Sequence, residues 1–321
     1  MPKTSPRRID FNPLRLLHHI CRIDHPTPEG ISMAKWTADQ LPVMTGKTVL
    51  ITGAGGGVGL VTARELARAG AHVVLAVRNV DKAREATTDM RGDFEIRHLD
   101  VADLDSVRAF AQTCTGDIDI LINNAGVMDV PAARTAQGLD VQTATNYFGP
   151  FLLTNLLLPQ LTDRVVTVSS QMHRFGKLDL DDLDWRTRKY DPMAAYQSSK
   201  LAVVLFSLEL QRRLTAAGSN IRSVIAHPGV ARTGLVDHSH LRIVNRLPFL
   251  VQDAEHGALP LLYAATQDVP GNAYIGPDGL FSFTGHPLIR KPSRAGLNPA
   301  VAKSLWLATA ALTGIGASIG Q

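Results

Sequence analysis

The strongest constraint on the fold of this chain is an alternation that begins at Lys47. Short β-branched runs occur at Lys47–Thr52, His72–Val77, Phe94–Leu99, Ile118–Ile122, Arg164–Ser169, Ile221–Ala226 and Ala273–Ile275, and segments with helical spacing separate most of them. Strands spaced by helices cannot pair through tight hairpins, so they join a parallel sheet with helices on both faces. The expected fold is α/β, a doubly wound parallel sheet in a single domain. Helices are expected over Gly59–Ala69 with Gly70 as the stop, over Leu139–Leu161, over Tyr196–Ala217 and over Ala254–Thr266. Asp103 is placed to cap one of the helices between the strands.

Composition narrows the function classes. A formal charge of +4 spread over 321 residues is too small for a nucleic-acid footprint. Only Cys21 and Cys114 are present, which leaves no disulfide framework or metal-ligand set and makes a reducing cytoplasm the simplest compartment. No stretch reads as a membrane span: the apolar Leu305–Gly320 carries Thr309, Thr313 and Ser318 and is read as a last helix packed on the domain. Residues 1–32 hold five prolines and do not resemble the remainder of the chain. They are expected to be an N-terminal arm, either disordered or not translated if synthesis begins at Met33. The domain is then 33–321.

The first strand runs into Thr52-Gly-Ala-Gly-Gly-Gly-Val-Gly59. Glycines at 53, 57 and 59 between a strand and a helix permit a tight turn and a close approach of backbone to a pyrophosphate. The helix N-terminus beyond them offers free N–H groups and partial positive charge. The spacing differs from the ordinary Gly-x-Gly-x-x-Gly pattern, and glycine-rich turns also arise for conformational reasons alone. At the end of the second strand the chain carries Arg78-Asn79 and no acid until Asp81. A carboxylate there suits a ribose 2′-hydroxyl, whereas an arginine suits a 2′-phosphate. NADP(H) is therefore the expected cofactor, with a solvated strand-end charge as the alternative for Arg78.

Tyr196 and Lys200 lie four apart and share one face of a helix. A phenol with an ordinary pKa of about 10 is a poor base near neutrality, and a neighbouring ammonium favours its ionised form. Such a pair can pass a proton to a carbonyl or take one from an alcohol, although chance pairs of this spacing are common on helix surfaces. The strand Arg164–Ser169 ends at Ser169-Ser170, on the sheet edge where ligands bind in open α/β sheets. Asn146 is polar within an apolar helix. It is either a satisfied core amide or the holder of a water that links Lys200 to a proton path.

At these residues the chain resembles the short-chain dehydrogenase/reductase family over roughly residues 46–285. The matching pieces are 52–59, Leu-Asp-Val (99–101), Asn-Asn-Ala-Gly (123–126), Asn146, Ser170, Tyr196-x-x-x-Lys200 and His-Pro-Gly-Val-Ala-Arg-Thr (227–233). The resemblance implies a Rossmann fold for the domain, with residues 286–321 as a C-terminal helical extension. It also implies a catalytic tetrad of Asn146, Ser170, Tyr196 and Lys200. Cofactor contacts are implied for Gly53, Gly55, Gly57, Val58, Gly59 and Arg78, for Asp100 and Val101 at the adenine, and for Asn124, Ala125 and Gly126. Lys200 would bond the nicotinamide ribose, and Pro228, Gly229 and Thr233 would face the nicotinamide end. Ser169-Ser-Gln-Met-His173 and the long insert before Tyr196 look like the retinol-dehydrogenase-like and protochlorophyllide-reductase-like branch. Relatives usually carry a polar pair where this chain has Gly55-Gly56, so weaker phosphate contacts are expected here.

The function expected from these residues is an NADP(H)-dependent oxidoreductase. It would interconvert an alcohol and a carbonyl on a hydrophobic small molecule and require no metal. Tyr196 would transfer the proton, Ser170 would polarise the oxygen, Lys200 would lower the pKa of Tyr196, and Asn146 would support the relay. Val230–Leu250, with Leu235, Leu241, Ile243, Leu247 and Pro248, is expected to cover the substrate, although core packing would explain the same residues. His173 either lines the pocket or stabilises its loop. Two rival readings are a non-enzymatic NADP(H) sensor and a sugar-nucleotide epimerase; the latter would need a larger C-terminal domain. Nucleic-acid partners and membrane spans are not expected, and either a monomer or a homo-oligomer fits.

Overall fold

The computed structural model describes residues 35–231 and 251–316. The expected arm at 1–32, Thr233 and most of the expected cover over the substrate lie outside the described residues. Eight strands form one sheet in the order β3-β2-β1-β4-β5-β6-β7-β8. They are β1 (Thr48–Thr52), β2 (His72–Val77), β3 (Asp93–His98), β4 (Ile118–Asn123), β5 (Leu161–Val168), β6 (Arg222–Ala226), β7 (Tyr274–Pro277) and β8 (Pro287–Arg290). Strands β1 to β7 pair in parallel, as the alternation predicts.

Strand β8 is an addition to the expected sheet and runs antiparallel to β7. Its Leu288 and Ile289 are 40% and 50% exposed. The strand therefore buries no continuous apolar face that would mark it in the sequence, and its pairing with β7 alone defines it.

Period-two alternation divides the core. On β1, Leu50 joins the cluster with Phe110, Phe151, Phe206 and Trp306, while Val49 and Ile51 join the cluster on the other face with Val61, Leu66, Leu261 and Leu262. The first face is covered by α3 (Leu104–Gln112), α5 (Gly149–Leu157), α6 (Pro192–Ala216) and α8 (Pro299–Thr313); the second is covered by α1 (Gly57–Arg68) and α7 (Ala254–Thr266). Helices α2 (Val80–Ala86) and α4 (Val141–Thr143) complete the set among the described residues. Asp103 caps α3 by accepting the Asp105 N–H, as expected.

The expected continuous helix over Leu139–Leu161 is corrected by the structure. After α4 the chain makes a π turn at Ala144–Phe148, resumes as α5, and has already entered β5 at Leu161. Two residues account for the turn. A side chain at Gly149 would strike the Val101 carbonyl, so the helix backbone presses on the β3–α3 connection there. Pro150 has no N–H to donate to the carbonyl of Asn146, four residues back. Apolar spacing alone does not distinguish an i+5 turn from i+4 turns. The last helix also begins earlier than expected, at Pro299 behind an Asn298 cap, and Gly314 at φ +66° ends it. Trp306 in this helix packs edge-on to Phe151 at 4.9 Å. No helix among the described residues is long and apolar enough to cross a membrane.

Candidate active site

Between β1 and β4 the strand order reverses, and the carboxyl ends of these strands open the crevice where ligands bind in such sheets. Thr52 ends β1 and braces the crevice: its hydroxyl accepts the backbone N–H groups of Asn124 at 3.1 Å and Ala125 at 3.0 Å. Asn124 Nδ2 donates back to the Thr52 carbonyl at 2.9 Å. Gly53 has φ +68°, and a Cβ there would sit 2.8 Å from the Ala125 Cα. A Cβ on Gly59 would fall against Asn124 Nδ2 and within 2.8 Å of the Gly53 carbonyl oxygen. These two glycines are thus required by the contact between the turn and the segment after β4.

The outer glycines differ. Gly57 has φ +55°, whereas Gly56 is extended at φ 173° and caps α1 without a side-chain hydrogen bond. A Cβ on Gly56 would meet nothing within 4 Å, and one on Gly55 would make only ordinary contact with Val77 and Ala83 at 3.4 Å. Val58 is buried behind the turn. The result is an uncapped helix N-terminus facing open space, which fits a diphosphate. At the end of β2, Arg78 is exposed and has no hydrogen bond or ion pair among the described residues. Asn79 next to it caps α2 through the Lys82 N–H. Val101 is buried, and Asp100 accepts the Ala102 N–H at 2.9 Å, so both stand at the end of β3 on the same sheet edge. The residues present therefore fit a dinucleotide along this edge.

The residues expected to carry the acid–base chemistry gather further along the same edge, around the end of β5 and on α6. Asp191 and Pro192 start α6, with the Asp191 carboxylate accepting the Ala194 N–H. The helix then buries Tyr196 and Lys200 to 5% and 4% exposure. Lys200 Nζ donates to the Val168 carbonyl at 2.9 Å, and Ser169 Oγ donates to the Lys200 carbonyl at 3.0 Å, so the end of β5 is laced to α6. Ser170 follows directly, with its Oγ accepting the Met172 N–H at 3.2 Å. A Cβ built on Gly126 would lie 3.3 Å from Asn146 Oδ1 and 3.5 Å from Lys200 Nζ. Asn146, Ser170, Tyr196 and Lys200 are brought to one site.

Both Nδ2 hydrogens of Asn146 and one lone pair of its Oδ1 are engaged by protein. Nδ2 donates to the Val127 carbonyl and to Ser199 Oγ, both at 2.9 Å, and Oδ1 accepts the Val127 N–H at 2.8 Å. The side chain ties the loop after β4 to α6, as a satisfied core amide does.

Burial dominates the electrostatics. It pushes the Tyr196 phenol up to about 12, with hydrogen bonding to Ser170 acting in the opposite direction. It also brings the Lys200 ammonium down to about 8. The expected lowering of the Tyr196 pKa by Lys200 is therefore corrected: the ammonium nitrogen of Lys200 lies 5.8 Å from the Tyr196 ring centroid, and the Tyr196 pKa is set by desolvation and by Ser170, not by Lys200. At neutral pH the phenol is protonated and Lys200 is charged.

His173 is buried and neutral, held by Ser170 and by Ser293; it stabilises its loop, the second of its two expected roles. Pro228 offers its carbonyl to Gln252 Nε2 at 2.7 Å. Gly229 has φ +72° and presses on the Phe283 carbonyl. Three residues that sequence reasoning passed over complete the site: Met128, Met172 and Met193 cluster with Tyr196. Met193 stands one helical turn before Tyr196, and Met172 two residues after Ser170, so their spacing to the tetrad was the available signal.

The family model for short chain dehydrogenases matches residues 47–242. This chain belongs to the short-chain dehydrogenase family. As a member it is an oxidoreductase acting on alcohol groups through a nucleotide-binding Rossmann fold. It is 40% identical to human retinol dehydrogenase 13 over 294 residues, covering 84% of this chain and 85% of that protein. A crystal structure of an uncharacterised protein from Mycobacterium paratuberculosis matches at a TM-score of 0.80 and 47% identity, covering 90% of this chain and all of the other. A Beutenbergia cavernae structure, described as an NAD(P)-dependent gluconate 5-dehydrogenase with NADP bound at low occupancy, matches at a TM-score of 0.54 and 26% identity. That match covers 70% of this chain and 92% of the other.

Proposed function

We propose that this short-chain dehydrogenase uses NADP(H) to interconvert a carbonyl and an alcohol on an apolar small molecule. The observation that carries this reading is the setting of Tyr196: a buried, protonated phenol beside Ser170, walled by Met128, Met172 and Met193. Methionine side chains are flexible and polarisable, and they favour apolar, shape-variable ligands. The retinol named for the human relative is of that class. Arg78, exposed and without an ion pair among the described residues, supports NADP(H) over NAD(H) because its guanidinium can meet a 2′-phosphate with two donors.

The bound dinucleotide supplies or accepts the hydride. In the reducing direction Tyr196 gives its proton to the substrate oxygen. Ser170 donates a second hydrogen bond to that oxygen with the O–H that otherwise bonds Tyr196, while its Oγ keeps the Met172 N–H. Lys200 holds its ammonium on the Val168 carbonyl with two N–H groups left over, placed to orient the ribose and to return a proton to Tyr196. Asn146 keeps the loop after β4 in register with α6, and so keeps Gly126 and Lys200 together. Gly53, Gly55, Gly57, Val58 and Gly59 would hold the phosphates. Asp100 and Val101 would border the adenine, Asn124, Ala125 and Gly126 the central crevice, and Pro228, Gly229 and Thr233 the nicotinamide end.

A sensor without turnover would have no use for an acid–base group at Tyr196. An epimerase would need a further substrate domain, whereas the described residues after α6 complete the sheet and add α7 and α8. The test is oxidation of NADPH and of NADH with a panel of aldehydes and ketones that includes all-trans-retinal. NADPH turnover with apolar members of the panel, at least about tenfold more efficient than with NADH, is expected. Absence of turnover across the panel, or a preference for small polar carbonyls, would overturn the reading.

A further inference from the structure

Three near neighbours in the turn after Ser170 reach across to the C-terminal segment. Gln171 Nε2 donates to the Phe281 carbonyl at 3.2 Å, the Ser293 backbone N–H donates to His173 Nε2 at 3.0 Å, and Arg174 Nη2 donates to the Lys291 carbonyl at 2.7 Å. His173 stands in the middle and is 0% exposed. Its Nδ1 lies 2.7 Å from the Ser170 carbonyl, which also accepts the His173 backbone N–H at 3.0 Å.

These bonds fix one form of the ring. Nε2 receives a hydrogen bond from a backbone amide, so it carries no proton. Nδ1 faces a carbonyl oxygen, so it carries the one proton of a neutral imidazole. Burial agrees with this assignment and holds the ring pKa down at about 4. One side chain therefore holds the Ser170 carbonyl, together with its own amide, and anchors that carbonyl to a segment 120 residues further along the chain. With the peptide plane after Ser170 held from two donors, and Ser170 Oγ held by the Met172 N–H, little freedom remains for the hydroxyl except rotation of its hydrogen.

We propose that His173 is a positioning residue for the reaction: it braces Ser170 against the C-terminal segment and so sets the angle at which the Ser170 hydroxyl meets the substrate oxygen. This rests on the role given above to Ser170 and Tyr196. His173 touches neither substrate nor cofactor, and it acts only through Ser170.

A double-mutant cycle with Ser170 tests this, with NADPH oxidation by all-trans-retinal as the readout. His173→Ala should lower kcat by about tenfold or more while the NADPH Kd stays within about twofold. In a Ser170→Ala background the same substitution should change kcat by less than about twofold, because the group it positions is already gone. Independent, multiplying losses would mean a general structural role and would overturn the proposal, as would full kcat in His173→Ala. His173→Gln, which keeps a donor and an acceptor, serves the same cycle if the alanine variant does not fold. A second reading needs no substrate. The nitrogen-15 histidine spectrum of the wild-type protein should show a ring protonated at Nδ1 that does not titrate from pH 5 to about 9, and that is lost in His173→Gln. A ring protonated at Nε2, or titrating near its ordinary value, would overturn the proposal even in the absence of turnover. Full activity in Tyr196→Phe would instead bring down the underlying reading, whatever the cycle returned.

Discussion

The turn after β1 and the cluster around Tyr196 share one edge of the sheet but are made of opposite materials. The turn is backbone: glycines remove side chains where Gly53 and Gly59 meet the Asn124–Ala125 segment, and α1 begins uncapped at Gly56. The cluster is side chain, and it is nearly dry: Tyr196, Lys200 and Asn146 are at most 5% exposed. The turn takes its electrostatics from peptide dipoles that no pH change alters. The cluster takes its own from two titratable groups that burial has pushed toward their neutral forms. Under the proposed function, labour is divided: the turn binds and the cluster reacts. Substitutions in one half should leave the other half's measurement nearly unchanged.

The largest effect is expected at Lys200. Lys200→Met should lower kcat by about 100-fold or more. It should also change how stability depends on pH. Because the native pKa of about 8 lies below the unfolded value of 10.5, the unfolded chain holds more protons than the folded one between those values. Wild-type stability therefore rises with pH over that window through this group. From pH 8 to pH 10 the wild type should gain roughly 2 kcal/mol relative to Lys200→Met in denaturant unfolding. A constant difference across that range would show that burial is not what sets the Lys200 pKa.

Next comes Gly59→Ala, whose methyl would fall against Asn124 Nδ2 and the Gly53 carbonyl. It should cost about 1–3 kcal/mol of stability and weaken NADPH binding, read by thermal unfolding with and without cofactor. A smaller, selective effect is expected of Arg78→Ala: an NADPH Kd raised about tenfold with NADH binding unchanged, since only a 2′-phosphate uses the guanidinium. Equal weakening of both cofactors would move Arg78 out of the specificity role. The smallest effect is a gain. Gly56→Ser would add a cap hydroxyl in open space at an extended residue, and should stabilise by a few tenths of a kcal/mol and tighten NADPH about two- to fivefold.

The two halves also differed in how plainly the sequence carried them. His72–Val77 and Ala254–Thr266 are read to the residue because β-branched runs and helical spacing are local signals. The turn between β1 and α1 is legible for the same reason. The cluster was legible as residue types but not as physics. Charge proximity suggested a lowered phenol pKa at Tyr196, whereas the deciding quantity is burial, which depends on everything packed over α6. The π turn at Asn146 escaped because Gly149 acts through a contact with Val101, some 50 residues earlier in the chain. The three methionines and the His173 bond to Ser293 are likewise products of tertiary contact. Strand β8, half exposed and paired with one neighbour, left no periodic trace.

The most direct test of the division between binding and reaction is Tyr196→Phe, measured twice on the same preparation. NADPH affinity by fluorescence titration should stay within about twofold of wild type, since the turn is intact. Turnover of the best carbonyl in the panel should fall by about 1000-fold or more, since the proton donor is gone. Turnover near the wild-type rate, or loss of NADPH binding in step with turnover, would contradict it.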